Sequence, residues 1–97
     1  YVSPHALVEE GTIVMHHALV NSDANVGRNC IINTKALVEH DAVVGDHCHV
    51  STGAIVNGGV KIGNGSFFGS GAVSKEYISI PFNSFISANS LIAKTHD

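Results

Sequence analysis

Basic residues are scarce in this chain of 97 residues: Lys and Arg number 5, against 8 Asp and Glu. With a formal charge of −3 it offers no basic stripe for a phosphate backbone, so nucleic acid is excluded as an expected partner. Long apolar runs are lacking as well. No stretch approaches the roughly 18 apolar residues of a membrane span, so no membrane partner is expected. No secretory leader is visible, because the opening YVSPHALVEE carries charges where an apolar core would sit. Cysteine is limited to Cys30 and Cys48, too few for a secreted disulfide framework. A cytoplasmic location is the expectation that follows. Tyr1 rather than Met opens the chain, which leaves room for a start further upstream. The length fits one small domain, 1–97.

What is present is a repeat of six. Every sixth residue from Val2 reads Val2, Val8, Val14, Val20, Val26, Ile32, Val38, Val44, Val50, Val56, Ile62, Phe68, Ser74, Ile80, Ile86 and Ile92. Only Ser74 among them is not bulky and apolar, and the phase never slips. Two residues before each of these the chain is mostly small, as at Ala18, Ala24, Cys30, Ala36, Ala42, Cys48 and Ala54. The residue just after is often Gly, Asn or Ser, as at Asn21, Gly27, Asn33, Gly45, Ser51, Asn57, Gly63 and Gly69.

A period of six matches neither an α-helix nor a hairpin series. It matches an all-β solenoid with three flat faces per coil, about five coils in all. Each hexapeptide is one short strand and one corner. The branched residue points inward, and the small residue shares the interior where space is tight. Gly and Asn just after the branched residue are expected to take the unusual backbone angles of the corners. Coils pair as parallel strands about 4.8 Å apart. Cys30 and Cys48, 18 residues apart, should stack inside adjacent coils as reduced core residues, at a spacing that would also permit a bridge. After Ala72 the pattern weakens: Ser74 breaks the apolar series, Lys75-Glu76-Tyr77 is expected to bulge, 78–92 to form a last, less regular coil, and 93–97 a tail. No amphipathic helix caps the solenoid, so oligomerisation is the expected way to bury more surface.

Seven histidines stand off the inward phase: His5, His16, His17, His40, His47, His49 and His96. For His5, His16, His17 and His96 plain surface placement is the expectation. Glu39-His40-Asp41 is different, since it sets an imidazole between two carboxylates. A carboxylate can hold the ring in one tautomer and stabilise its cation, which suits a general base near neutral pH. Sequence adjacency leaves open which carboxylate is the partner.

The stretch NTKALVEHDAVVGDHCHVSTGAIVNGGVKIGNGSFFGSGAV resembles the hexapeptide-repeat acyltransferases of the sialic-acid O-acetyltransferase and nucleotide-amino-sugar N-acetyltransferase group. The repeat alone carries the superfamily; Asn-Thr-x-Ala-x-Val-Glu-His-Asp followed by Gly-Asp-His-x-His-x-Ser is more specific. The resemblance implies a left-handed coil, against the usual right-handed crossover, and a homotrimer with its site between neighbouring prisms. It implies direct acetyl transfer from acetyl-CoA to a sugar or nucleotide-sugar amine or hydroxyl. His40 is then the general base and Asp41 its orienting partner. Asn33 lines the acceptor pocket, and His49 contacts acetyl-CoA near the thioester. Gly58, Ser70 and Ala88 match the cofactor groove. The oxyanion donor is a backbone N–H near Gly58 or the His49 imidazole. No metal is expected. Family enzymes usually carry an N-terminal Rossmann-like domain that holds the nucleotide sugar; the segment lacks it, and lacks the usual Gly-x-Pro-Ala-like ending after Ile92.

Two other readings compete. A trimeric β-helix scaffold without activity, or an inactive fragment, would share the fold. A γ-carbonic-anhydrase-like zinc enzyme would need histidines one or two coils apart, and no two here differ by 18 or 36. His47 and His49 remain as a zinc pair if strand alternation puts both on one face. Ice binding would need ranked Thr arrays, and only Thr12, Thr34, Thr52 and Thr95 occur.

Overall fold

The computed structural model describes residues 1–95; His96 and the end of the expected tail lie outside them. Fifteen two-residue strands follow one another at intervals of six: β1 Leu7–Val8, β2 Ile13–Val14, β3 Leu19–Val20, β4 Asn25–Val26, β5 Ile31–Ile32, β6 Leu37–Val38, β7 Val43–Val44, β8 His49–Val50, β9 Ile55–Val56, β10 Lys61–Ile62, β11 Phe67–Phe68, β12 Val73–Ser74, β13 Ser79–Ile80, β14 Phe85–Ile86 and β15 Leu91–Ile92. They stack into three parallel five-stranded sheets. Face 1 runs β1-β4-β7-β10-β13, face 2 β2-β5-β8-β11-β14, and face 3 β3-β6-β9-β12-β15. Partners differ by 18 residues throughout, as in Val26 against Val44 and Val44 against Ile62. The result is a prism of 31 × 20 × 19 Å.

The inward column forms the core. Val20, Val26, Ile32, Val38, Val44, Val50 and Val56 are at most 1% exposed, and the small residues Ala24, Ala42 and Ala54 fill the corners beside them. Val2, on the same phase, is 40% exposed, because it touches only one neighbouring coil, through a bridge to Val20. Cys30 and Cys48 are free and buried. Their thiols approach the carbonyls of Gly45 and Gly63 at 3.0 and 3.2 Å. Cys48 is 3% exposed on the inner wall of the prism, so its thiol is closed off from any substrate outside.

Two expectations are corrected. Ser74 does not interrupt the coil. It is fully buried on β12, in register with Val56 and Ile92. Its hydroxyl accepts the Asn57 N–H at 3.2 Å, and its carbonyl accepts Asn57 Nδ2 at 2.8 Å. A buried hydroxyl with a partner costs little, so hydropathy alone misreads the position. Lys75-Glu76-Tyr77 is accordingly a regular corner, and the strands after it keep the repeat.

The left-handed backbone position is the second correction. It falls three residues before each inward residue from Val14 to Ile92, at His17, Asp23, Asn29, Lys35, Asp41, His47, Tyr77, Asn83 and Asn89 and at Gly11, Gly53, Gly59, Gly65 and Gly71. The glycines just after the inward residue serve another purpose. A Cβ on Gly63 would lie 2.7 Å from Phe82 Cα, and one on Gly69 would lie 2.6 Å from Ala88 N. These are glycines because the next coil's backbone passes against them. Gly63→Ala is therefore expected to destabilise by about 1–3 kcal/mol, as overpacking does. Chemical denaturation of the variant checks this; an unchanged midpoint would remove the close approach as the reason.

Candidate functional site

The corner between β6 and β7, residues 39–42, joins face 3 to face 1. Asp41 takes its left-handed position, at φ 62°. That conformation brings the carboxylate beside the preceding residue, and Asp41 Oδ2 lies 3.0 Å from His40 Nδ1. With the proton on Nδ1, the pair leaves Nε2 as the free lone pair. Both side chains are about half exposed, at 49% and 60%, so the contact orients the ring and contributes little stability. Glu39 faces elsewhere: its Oε1 accepts Asn21 Nδ2 at 3.2 Å, one coil earlier. Asp41 is thus the carboxylate that holds His40.

Gly58 lies one coil beyond His40 at the same corner. A Cβ there would stand 2.8 Å from both Cε1 and Nε2 of the imidazole. The ring therefore lies against bare backbone, and any side chain at this position would displace it.

The corner after β5, residues 33–36, joins face 2 to face 3. Asn33 Oδ1 accepts the Thr34 N–H at 2.7 Å, which fixes the amide. Its Nδ2 then points at His49 Nε2, 3.2 Å away. An amide donor there requires an acceptor nitrogen, so His49 carries its proton on Nδ1. The His49 ring sits edge-on to Phe67, centroids 5.2 Å apart, and Phe67 stacks on Phe85. Higher on this corner, the Ser70 hydroxyl meets that of Ser51 at 2.8 Å. Ala88, one coil further, is exposed and passes over Gly69.

The candidate residues thus form two sets. His40, Asp41 and Gly58 share one corner; Asn33, Ser70 and Ala88 share another, with His49 beside it on β8. Face 3 separates them, with β6 between Asn33 and His40. Among the described residues the prism has no pocket. It also holds no group of three or more His, Cys, Asp or Glu side chains arranged for a metal. His47 occupies a left-handed corner outside β8, so strand alternation does not place it on one face with His49. His5, His16 and His17 are exposed. Tyr77, 36 residues beyond Asp41 on the same corner, lays its ring over Gly59.

Comparison with known proteins bears on the fold and on the acetyltransferase resemblance. Residues 41–73 match the family described as bacterial transferase hexapeptide (six repeats). No curated protein sequence matches the chain. Among solved structures, the acetyltransferase domain of PglB from Neisseria gonorrhoeae superposes with a TM-score of 0.98 at 31% identity, over 99% of this chain and 47% of that one. The same domain in complex with acetyl coenzyme A gives 0.96 at 32% identity, over 97% and 46%. A histidine mutant of perosamine N-acetyltransferase from Caulobacter crescentus, in complex with CoA and GDP-perosamine, gives 0.77 at 27% identity, over 97% and 48%. The chain spans about half the length of these structures. The fold is the left-handed parallel β-helix of hexapeptide-repeat proteins, and the sequence resemblance to acetyltransferases of that group holds.

Proposed function

We propose that this chain transfers acetyl from acetyl-CoA to an amine or hydroxyl of a sugar, a nucleotide-linked amino sugar or a sialic acid. The observation that carries the reading is the His40–Asp41 pair, held on an open corner with the imidazole against Gly58. In the reaction, His40 Nε2 takes the acceptor's proton as the acceptor nitrogen or oxygen attacks the thioester carbonyl carbon. Asp41 stabilises the imidazolium that forms. The oxyanion is met by a nearby donor, the Gly58 N–H or the His49 imidazole. Collapse re-forms the carbonyl and breaks the C–S bond, and the CoA thiolate takes the proton back from His40. Cys48 is buried inside the prism, which leaves no acyl-cysteine route. Two neighbours solved with acetyl-CoA or CoA support the donor, and the GDP-perosamine complex supports a nucleotide-sugar acceptor.

The active assembly is a homotrimer, for a reason internal to the prism. The outward residues of face 3 are Leu19, Leu37, Ile55, Val73 and Leu91, all aliphatic. Face 1 presents Leu7, Asn25, Val43, Lys61 and Ser79 instead. Burying face 3 around a threefold axis removes apolar surface from water. The same rotation brings the His40 corner of one copy against the Asn33–His49 corner of the next, which completes the site. Ile55→Asp is expected to leave folded chains of 10.1 kDa in place of assemblies three times that mass, with turnover lost. Sedimentation checks this, and a variant that stays trimeric would move the interface to another face. The reading as a whole is tested by mixing the protein with acetyl-CoA and a panel of amino sugars and sialic acids, and following free CoA thiol. Acceptor-dependent thiol release supports it; release with no acceptor in the panel sinks it.

A further inference from the structure

Tyr77 occupies a position its side chain disfavours. It stands at φ 61°, in the left-handed region that bulky residues avoid, and it is 72% exposed. Asp41, Gly59 and Tyr77 follow one another at intervals of 18 on the face 3 to face 1 corner. A Cβ on Gly59 would collide with the Tyr77 ring, so the phenol lies back along the corner toward the His40 coil. The Tyr77 N–H donates to the Gly58 carbonyl at 2.8 Å. Gly58 in turn lies against the His40 imidazole. The corner is therefore one continuous strip: imidazole, two glycines, phenol. The left-handed backbone belongs to the corner in every coil; what sets Tyr77 apart is a large, exposed aromatic ring laid over glycine beside a base.

We infer that Tyr77 is a binding residue for the donor, with its ring carrying the stretch of the pantetheine arm next to the thioester. This rests on the acetyl-transfer reading and on the threefold arrangement above. The solenoid climbs about 4.8 Å per coil, so height along the axis follows residue number. Tyr77 then lies between the levels of Ser70 and Ala88. Around a threefold axis parallel to the prism, those two residues of the next copy face it across the cleft. Its ring, reaching back over Gly59, sits about 5 Å, one coil, beyond His40. An arm leaving a thioester held at His40 has its first methylenes and amide there. A phenol suits both groups, offering an apolar face to methylenes and a hydroxyl to an amide. Asn33 lies on the other side of the His40 level, so the ring borders the donor and leaves the acceptor end open.

The test is calorimetric titration of acetyl-CoA into the intact chain and its Tyr77→Asn, Tyr77→Gly and Tyr77→Phe variants, with steady-state kinetics beside it. Asn and Gly take this backbone readily, as at Asn83, Asn89 and Gly59, so Tm is expected to stay level or rise. The dissociation constant for acetyl-CoA should rise about tenfold in the Asn and Gly variants. Tyr77→Phe keeps the apolar face and loses only the hydroxyl's hydrogen bond, so its dissociation constant should rise by less than in the Asn and Gly variants. The acceptor KM should not move. Folded Asn and Gly variants that bind acetyl-CoA as the unaltered chain does, or a rise confined to the acceptor KM, would overturn the role of Tyr77 and leave acetyl transfer standing. If the unaltered chain takes up no acetyl-CoA, the acetyl-transfer reading falls and this inference with it.

Discussion

His40→Ala is expected to lower kcat/KM by about 10²–10⁴, the usual worth of a positioned acid or base. The loss should fall on kcat, because the imidazole acts on the transferring proton. Stability should hardly change. His40 is half exposed, its side chain's one hydrogen-bond contact is the similarly open Asp41, and alanine keeps the backbone bond to Gly59 and the corner's left-handed residue in place. A melting curve and a turnover assay on the same preparation separate the two effects. Asp41→Asn makes a useful companion. Asparagine takes the left-handed backbone as readily, as at Asn29, so the corner survives while the charge that stabilises the imidazolium is lost. Its kcat should fall less than that of His40→Ala. A His40→Ala variant with wild-type kcat would dismiss His40 as the base.

Val44→Asp is expected to cost several kcal/mol, a large share of the about 5–15 kcal/mol that holds a typical domain. Val44 is 1% exposed and sits between Val26 and Ile62 in the middle of face 1. A carboxylate there meets only the apolar column and finds no donor. The prism is narrow, so every coil depends on its neighbours for burial and the damage propagates along the stack. Urea unfolding reads the effect directly. An unchanged midpoint would contradict the inward assignment of the whole phase.

The inward column and the 18-residue register were legible because a fixed period leaves the same residue type in the same place coil after coil. The corners were harder. Sequence reading assigned the unusual backbone to the Gly and Asn just after each inward residue, since those are the usual left-handed types. The residues that take it include His17, Lys35 and Tyr77. Pairing with the coils on either side imposes the conformation whatever the side chain prefers, so local propensity carries no warning. Ser74 was misread for a related reason: its hydrogen-bond partner, Asn57, lies a coil away.

Site residues followed the same division. His40 and Asp41 are adjacent in sequence, so their contact was nearly visible. The Asn33–His49 hydrogen bond joins residues 16 apart, and only the resemblance had marked both. The fit of Gly58 to the His40 ring is a contact between coils that no single stretch of sequence displays. The placement of the two sets on opposite edges of face 3 is a property of the prism as a solid.

The central claim is that this β-helix takes acetyl-CoA as its donor, and isothermal titration of the purified chain with acetyl-CoA tests it most directly. The account predicts saturable binding with one site per chain, lost when Ile55→Asp separates the copies. A folded trimer that releases or absorbs no heat with acetyl-CoA would contradict it and leave the prism as a scaffold.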